Sequence, residues 1–394
     1  MKIRPFYNNG LHYFVIGIIL FTLTMQNPDN KFIDTPHFVF DHITPTTIIF
    51  VIGVVLILLR SILEGINIDY ITILLIIRII LALIPMFYIN DALDFFGNLE
   101  TTILCFISYY IAKNFVDDPN KIKFSMLFLF LLIVVQVVFE SYMGPISFFD
   151  DTYFYKNNLL LPIGGSNAIA AIIIPCFSFL LCIIQGKVGK GVIFILAFLS
   201  VILTKSRSGI IALFIMFFLI LIFTNKINLK RTIKFITIIA LLSILYVLFF
   251  EKGDLLMYAF SKTNNTIIER FQRWSMSLDL FIKHPIFGVS YLIQDAKINP
   301  HNWILNILAS GGIFGVLLSF LLIFNIISTL KGKKDDRIII GSICFVLAIL
   351  LQGLGEITLF TSRTDFFFWF VIGVAMKEAK LYKEKKRYRK FDYE

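Results

Sequence analysis

Charge is what this chain has least of. Lys, Arg, Asp and Glu make up 16% of its 394 residues, against about 25% in a soluble globular domain. With 58% hydrophobic residues and a mean hydropathy of +0.84, that scarcity excludes an ordinary water-soluble fold and points to a membrane protein. Cysteine is scarce too. Cys105, Cys176, Cys182 and Cys344 all fall inside apolar runs without metal-ligand spacing, which argues against a zinc site or a disulfide framework and leaves them as small buried hydrophobes. There is no acidic cluster of the metal-binding kind, and neither a metal nor a cofactor is expected. No internal repeat relates the two halves, which counts against transporters built from repeated halves. A small-x-small cleavage site is missing after the first apolar run, which follows Lys2 and Arg4 and ends Thr24-Met25-Gln26-Asn27-Pro28. An uncleaved first span is expected.

What the chain does have is long apolar runs. Runs near 20 residues match the roughly 30 Å hydrocarbon core of a bilayer, and their positions predict an all-α polytopic membrane protein with about twelve transmembrane helices. They cover about 10–26, 44–60, 68–89, 95–112, 122–140, 159–185, 190–204, 207–225, 234–250, 303–329, 338–357 and 364–377. Spans seven and eight are short and separated almost only by Thr204-Lys205-Ser206. One transmembrane domain over 1–376 is expected, with a basic tail over 377–394.

The net charge of +10 does not indicate nucleic acid, because the basic residues sit in short loops and in the tail. With the N-terminus inside and strict alternation, 24 of the 36 Lys and Arg lie on the inner side and 11 on the outer, with Arg78 inside a span. By the positive-inside rule both termini are expected in the cytoplasm, with the tail against anionic lipid headgroups. One outer loop, 251–302, is far longer than usual, and connections of that length are functional or disordered. Here Ile268, Phe271, Trp274, Leu278, Phe281 and Ile282 recur at helical spacing, with Arg270, Arg273 and Ser277 on the neighbouring strip. That predicts a short amphipathic helix at the membrane surface, ended by Pro285.

Several polar residues need a reason to be where they are. Arg207, in Ser206-Arg207-Ser208-Gly209, either snorkels to outer headgroups or belongs to an anion site. Ser206, Ser208 and Gly209 at a helix start offer N–H groups and the positive end of a helix dipole, and a guanidinium grips phosphate oxygens in pairs. Arg270 and Arg273 open onto the same side. His301 and Asn302 start span ten: Asn302 suits a helix cap, and His301 could hydrogen-bond a phosphate or accept a proton from a hydroxyl. His284, before Pro285, reads as structural. Asn167, in Gly164-Gly165-Ser166-Asn167-Ala168, could line the same cavity. Arg78, costing about 2.5–3.5 kcal/mol at the centre of a span, needs an ion-pair partner, for which Glu100, Glu140 and Glu356 are the candidates.

These elements resemble the O-antigen ligase and Wzy-type polymerase superfamily. The resemblance runs through Thr204-Lys205-Ser206-Arg207-Ser208-Gly209, Arg270 four residues before Trp274, His284-Pro285-Ile286-Phe287-Gly288-Val289, His301-Asn302-Trp303-Ile304-Leu305 and Gly311-Gly312-Ile313-Phe314-Gly315, in family order from about 160 to 325. Glu269 stands where the family often has glycine, and Gly288-Val289-Ser290 lacks a second one. The resemblance implies a metal-independent glycosyltransferase in the bacterial cytoplasmic (inner) membrane. Its donor would be an oligosaccharide on undecaprenyl pyrophosphate, and a flippase and a chain-length regulator would be candidate partners. Arg207, Arg270 and His301 would be catalytic by family pattern, with Ser206, Asn167 and Asn302 beside the substrate. Arg273 is added from its place on the helical strip. A repeat-unit polymerase is the first expectation, a ligase to lipid A core or another acceptor the second, and a flippase or transporter of lipid-linked sugar the third.

Overall fold

The computed structural model describes residues 52–55, 57–58, 68–87, 92–116, 118–143, 159–161, 164–224, 254–289, 300–333, 336–359 and 365–391. The expected spans at 10–26 and 234–250, and most of 44–60, lie outside the described residues.

The protein is an all-α polytopic membrane protein. Among the described residues its longer helices are α1 (Tyr70–Leu83), α2 (Ala92–Phe115), α3 (Ile122–Met143), α4 (Ser166–Ile183), α5 (Lys187–Leu203), α6 (Arg207–Phe223), α7 (Asp254–Lys283), α8 (Trp303–Leu330), α9 (Arg337–Gln352) and α10 (Asp365–Phe391). Among the described residues one two-residue ladder, Leu160–Leu161 against Gly164–Gly165, leads the chain into α4. The segments 119–142, 166–183 and 303–330 are each long and apolar enough to cross a membrane. α5 and α6 are separate helices on either side of Lys205.

The way apolar residues are distributed fits a lipid solvent. On α3, Phe124, Phe128, Leu131, Val135, Val138 and Phe139 are exposed in a stripe at three- and four-residue spacing, while Met126, Leu129, Phe130, Ile133, Val134 and Val137 face the core. Both faces are apolar because one meets protein and the other meets hydrocarbon. α4 is apolar all round and buried along nearly its whole length. It packs against α3, α5, α6 and α9 and forms the centre of one group of helices. α10 packs against α2, where Gly373 leaves no room for a Cβ beside the Tyr109 carbonyl and Ala112.

Arg78 is fully buried and pairs with Asp365, Nη2 to Oδ2 at 2.8 Å. This corrects the expected partner set of Glu100, Glu140 and Glu356. Asp365 opens α10, takes a weaker contact from Cys105 Sγ at 3.5 Å, and lies one residue before Phe366, whose carbonyl accepts from Ser108. The pair thus ties α1, α2 and α10 together, and the Arg78 guanidinium also stands 6.0 Å from the Trp369 ring centre. α10 continues as one helix past position 377 to Phe391.

The loop helix is longer than its apolar pattern indicates. α7 starts at Asp254, well before Ile268, and ends at Lys283 ahead of Pro285. Beyond it, two glycine motifs that are distant in sequence lock together. α8 is kinked at Gly312 (φ 60°, ψ −159°), a backbone region open in practice only to glycine. The N–H groups of Ile313 and Phe314 bond to the carbonyls of Pro285 and Ile286 at 2.9 and 3.3 Å, and Val289 N–H bonds to the Ala309 carbonyl at 3.0 Å. Phe287 stacks on Phe314, with ring centres 5.3 Å apart. A Cβ on Gly312 would lie 2.5 Å from the Ile286 carbonyl oxygen, and one on Gly288 would collide with the backbone of Ser310. His284 contributes its carbonyl to the turn, accepting from Gly288 N–H at 2.9 Å.

Candidate active site

The N-termini of α4, α6 and α8 meet at one end of the bundle, together with the chain that leaves α9. Each helix start has a local cause. Ser206 caps α6, its Oγ accepting from Gly209 N–H at 3.2 Å. Asn302 caps α8, its Oδ1 accepting from the N–H groups of Ile304 and Leu305 at 2.9 and 3.2 Å. Gly165 stands in the cap position of α4, and Ser166 Oγ donates to the Thr204 carbonyl. The segment after α9 is tied to α8 by Trp303 N–H to the Gly353 carbonyl at 3.0 Å and by Asn302 Nδ2 to the Leu354 carbonyl at 3.2 Å. Helix N-termini carry the positive ends of their dipoles, so gathering three of them favours an anion.

A chain of side-chain hydrogen bonds crosses this end. Ser206 Oγ donates to Asn167 Oδ1 at 2.8 Å, and Asn167 Nδ2 donates to Glu356 Oε2 at 2.8 Å. His301 Nδ1 lies 2.8 Å from Glu356 Oε1, and Arg273 Nη1 lies 3.0 Å from His301 Nε2. Arginine has no acceptor, so Nε2 accepts from Arg273 and Nδ1 carries the ring proton, donated to Glu356. The bonds therefore assign a neutral His301, oriented by a carboxylate. Backbone geometry supports this placement, since His301 adopts φ 48°, a left-handed conformation uncommon outside glycine and somewhat less so for histidine. Behind it, Trp274 Nε1 donates to the Pro300 carbonyl at 2.8 Å and fixes α7 against the start of α8.

Glu356 is held by three donors. Burial pushes its carboxyl upward, but the hydrogen bond from His301, the charge of that ring when it is protonated, and the hydrogen bonds from Asn167 and the Ile357 N–H outweigh it and bring the group below the usual carboxylate value. It is 14% exposed and His301 29% exposed, so the pair borders an opening.

Four of the seven residues singled out in the sequence, Asn167, Ser206, Arg273 and His301, fall in this one network. Arg207 is the exposed first residue of α6, directly after Ser206. Arg270 is half-buried on α7, one turn before Arg273. Asn302 sits beside the site, but its side chain is engaged as a cap and a tie to Leu354, which explains it without substrate. Glu356 is the member that sequence reading placed elsewhere. Its signal was an acidic residue at the edge of an apolar run, but it pairs with His301 and Asn167 rather than with Arg78.

Residues 192–320 match the family described as O-antigen ligase. That third of the chain holds Ser206, Arg207, Arg270, Arg273, His301, Asn302 and both halves of the glycine lock, and it bears out the resemblance drawn from the motifs. Asn167 and Glu356 lie outside the matched segment, yet the structure bonds them to its residues. The chain is also similar to a ComP-specific O-oligosaccharyltransferase of Acinetobacter baylyi, with 24% identity over 294 aligned residues covering 66% of this chain. It spans about half (53%) of that relative's length.

Proposed function

We propose that this protein transfers an oligosaccharide from undecaprenyl pyrophosphate to an acceptor sugar hydroxyl at the outer face of the bacterial cytoplasmic membrane. The observation that carries this reading is the oriented Glu356–His301 pair, set among three helix N-termini and hydrogen-bonded to Arg273. In the reaction the acceptor oxygen bonds to the anomeric carbon while its proton passes to His301 Nε2. The bond from the anomeric carbon to the phosphate oxygen breaks, and its electron pair leaves with the lipid pyrophosphate. Charge gathers on that leaving group, where Arg207, Arg270 and the N–H groups opening α6 stabilise it. Such donors, held in place before reaction, are worth several kcal/mol in a poorly hydrated site. Glu356 keeps the Nδ1–H tautomer and supports the imidazolium that forms, and Asn167 and Ser206 hold Glu356. The arginines supply the charge that a metal would otherwise bring, so the reaction is metal-independent.

The acceptor we favour is a second lipid-linked repeat unit, which makes the protein a polymerase of O-antigen or capsular polysaccharide. Its departures from the family pattern at Glu269 and Ser290 favour this widely divergent branch. The ligase reading is favoured by the family description and by the relative's name.

The test uses purified protein in lipid vesicles with a lipid-linked repeat unit. Chain growth with release of undecaprenyl pyrophosphate, unchanged by EDTA, is the expected result. Transfer only to a distinct acceptor would move the assignment to the ligase. Passage of the lipid across the bilayer with no new glycosidic bond would overturn both.

A further inference from the structure

In the structure the nitrogen of His301 that would accept the proton is already covered. Nε2 takes a hydrogen bond from Arg273 Nη1 at 3.0 Å, while Nδ1 is committed to Glu356. A base whose lone pair is held by a guanidinium cannot take a proton from a hydroxyl. We propose that Arg273 is a donor-responsive shield: it masks His301 until an anionic diphosphate draws it away, so that the base becomes available only when the glycan donor is bound. This rests on the transfer reaction proposed above and names a positioning residue for it.

Three observations support the exchange. Arg273 lies on α7, one turn from Arg270, so an anion held by Arg270 is within reach of its guanidinium. A guanidinium forms paired, charge-assisted bonds with phosphate oxygens that are stronger than one bond to a neutral imidazole. The ring itself need not move, because Glu356 and the fixed start of α8 hold it from the other side. The competing acceptor therefore takes Arg273, and Nε2 is uncovered. Such an arrangement would suppress proton transfer in the empty site.

The shield can be read without turnover, through the rate at which diethyl pyrocarbonate modifies His301, measured by mass spectrometry on the full-length protein in lipid. His284, exposed and outside the network, is the internal control for folding and reagent. In the unaltered protein His301 reacts slowly, and saturating inorganic pyrophosphate raises its rate at least about fivefold, the low end of ordinary coupling between two sites. Arg273→Ala reacts fast without pyrophosphate and gains nothing from it. An Arg273→Ala rate equal to that of the unaltered protein, with His284 unchanged, overturns the shield. So does a pyrophosphate effect that slows His301, as simple covering by ligand would. If pyrophosphate fails to bind while Arg273→Ala still uncovers His301, the shielding contact stands and the pyrophosphate-donor reading is the part that fails.

Discussion

At the scale of single residues, two carboxylates decide most of the outcome. Asp365 neutralises Arg78 in the protein interior, and removing one partner of such a pair leaves a buried charge at a cost of about 3–5 kcal/mol. Asp365→Ala is expected to lower the thermal stability of the detergent-solubilised protein strongly. Arg78→Met together with Asp365→Leu should recover most of that loss, since well-packed apolar replacements are often neutral. A double variant as unstable as the single one would contradict the pairing. Glu356 titrates below the ordinary carboxylate value. Its contribution to stability is complete above the unfolded-state value, about 4.3, and is lost as pH falls through its lowered one. Between about pH 7 and pH 3 the melting temperature should therefore fall more steeply for the unaltered protein than for Glu356→Gln; equal slopes would remove the argument. Neither pairing was legible in the sequence. Arg78 meets a residue 287 positions away, and nothing in an apolar run says which of several edge acids faces it. The cap at Asn302 was legible, because capping depends only on the next few residues.

At the scale of elements, the sequence reading stands or falls with periodicity. The amphipathic stripe from Ile268 to Ile282 located α7, and Pro285 located its end. Its first half carries no such signal, because the stretch through Thr263, Asn264, Asn265 and Thr266 has neither apolar period nor strong helix propensity. The two glycine motifs were visible as motifs, but not as one lock, since their contact is made by backbone carbonyls that carry no side-chain signature. Gly312→Ala places a side chain in a glycine-only backbone region and against the Ile286 carbonyl. A loss of about 1–3 kcal/mol is expected, with earlier proteolysis after α7 as the readout, because the lock fixes the end of α7 onto α8. Unchanged proteolysis would mean that the turn docks by other contacts.

At the scale of the whole molecule, the bilayer makes the fold readable. Every backbone group must be satisfied inside the hydrocarbon, so a long apolar run has few alternatives to a helix, and run length alone marked the described spans. What hydropathy could not convey is how the helices are gathered. Three N-termini meet at this end of the bundle, and the polar residues at those helix starts share one hydrogen-bonded network. In the orientation we propose from the charge bias of the loops, that space opens on the outer side, where the proposed lipid-linked donor would meet its acceptor. The central claim is that this end of the bundle is a pyrophosphate-leaving transferase site. Its most direct measurement is release of undecaprenyl pyrophosphate by vesicles bearing Arg207→Ala, with membrane insertion verified on the same sample. The account predicts that release and glycosidic bond formation are both abolished while the protein still inserts; activity equal to that of the unaltered protein would contradict it.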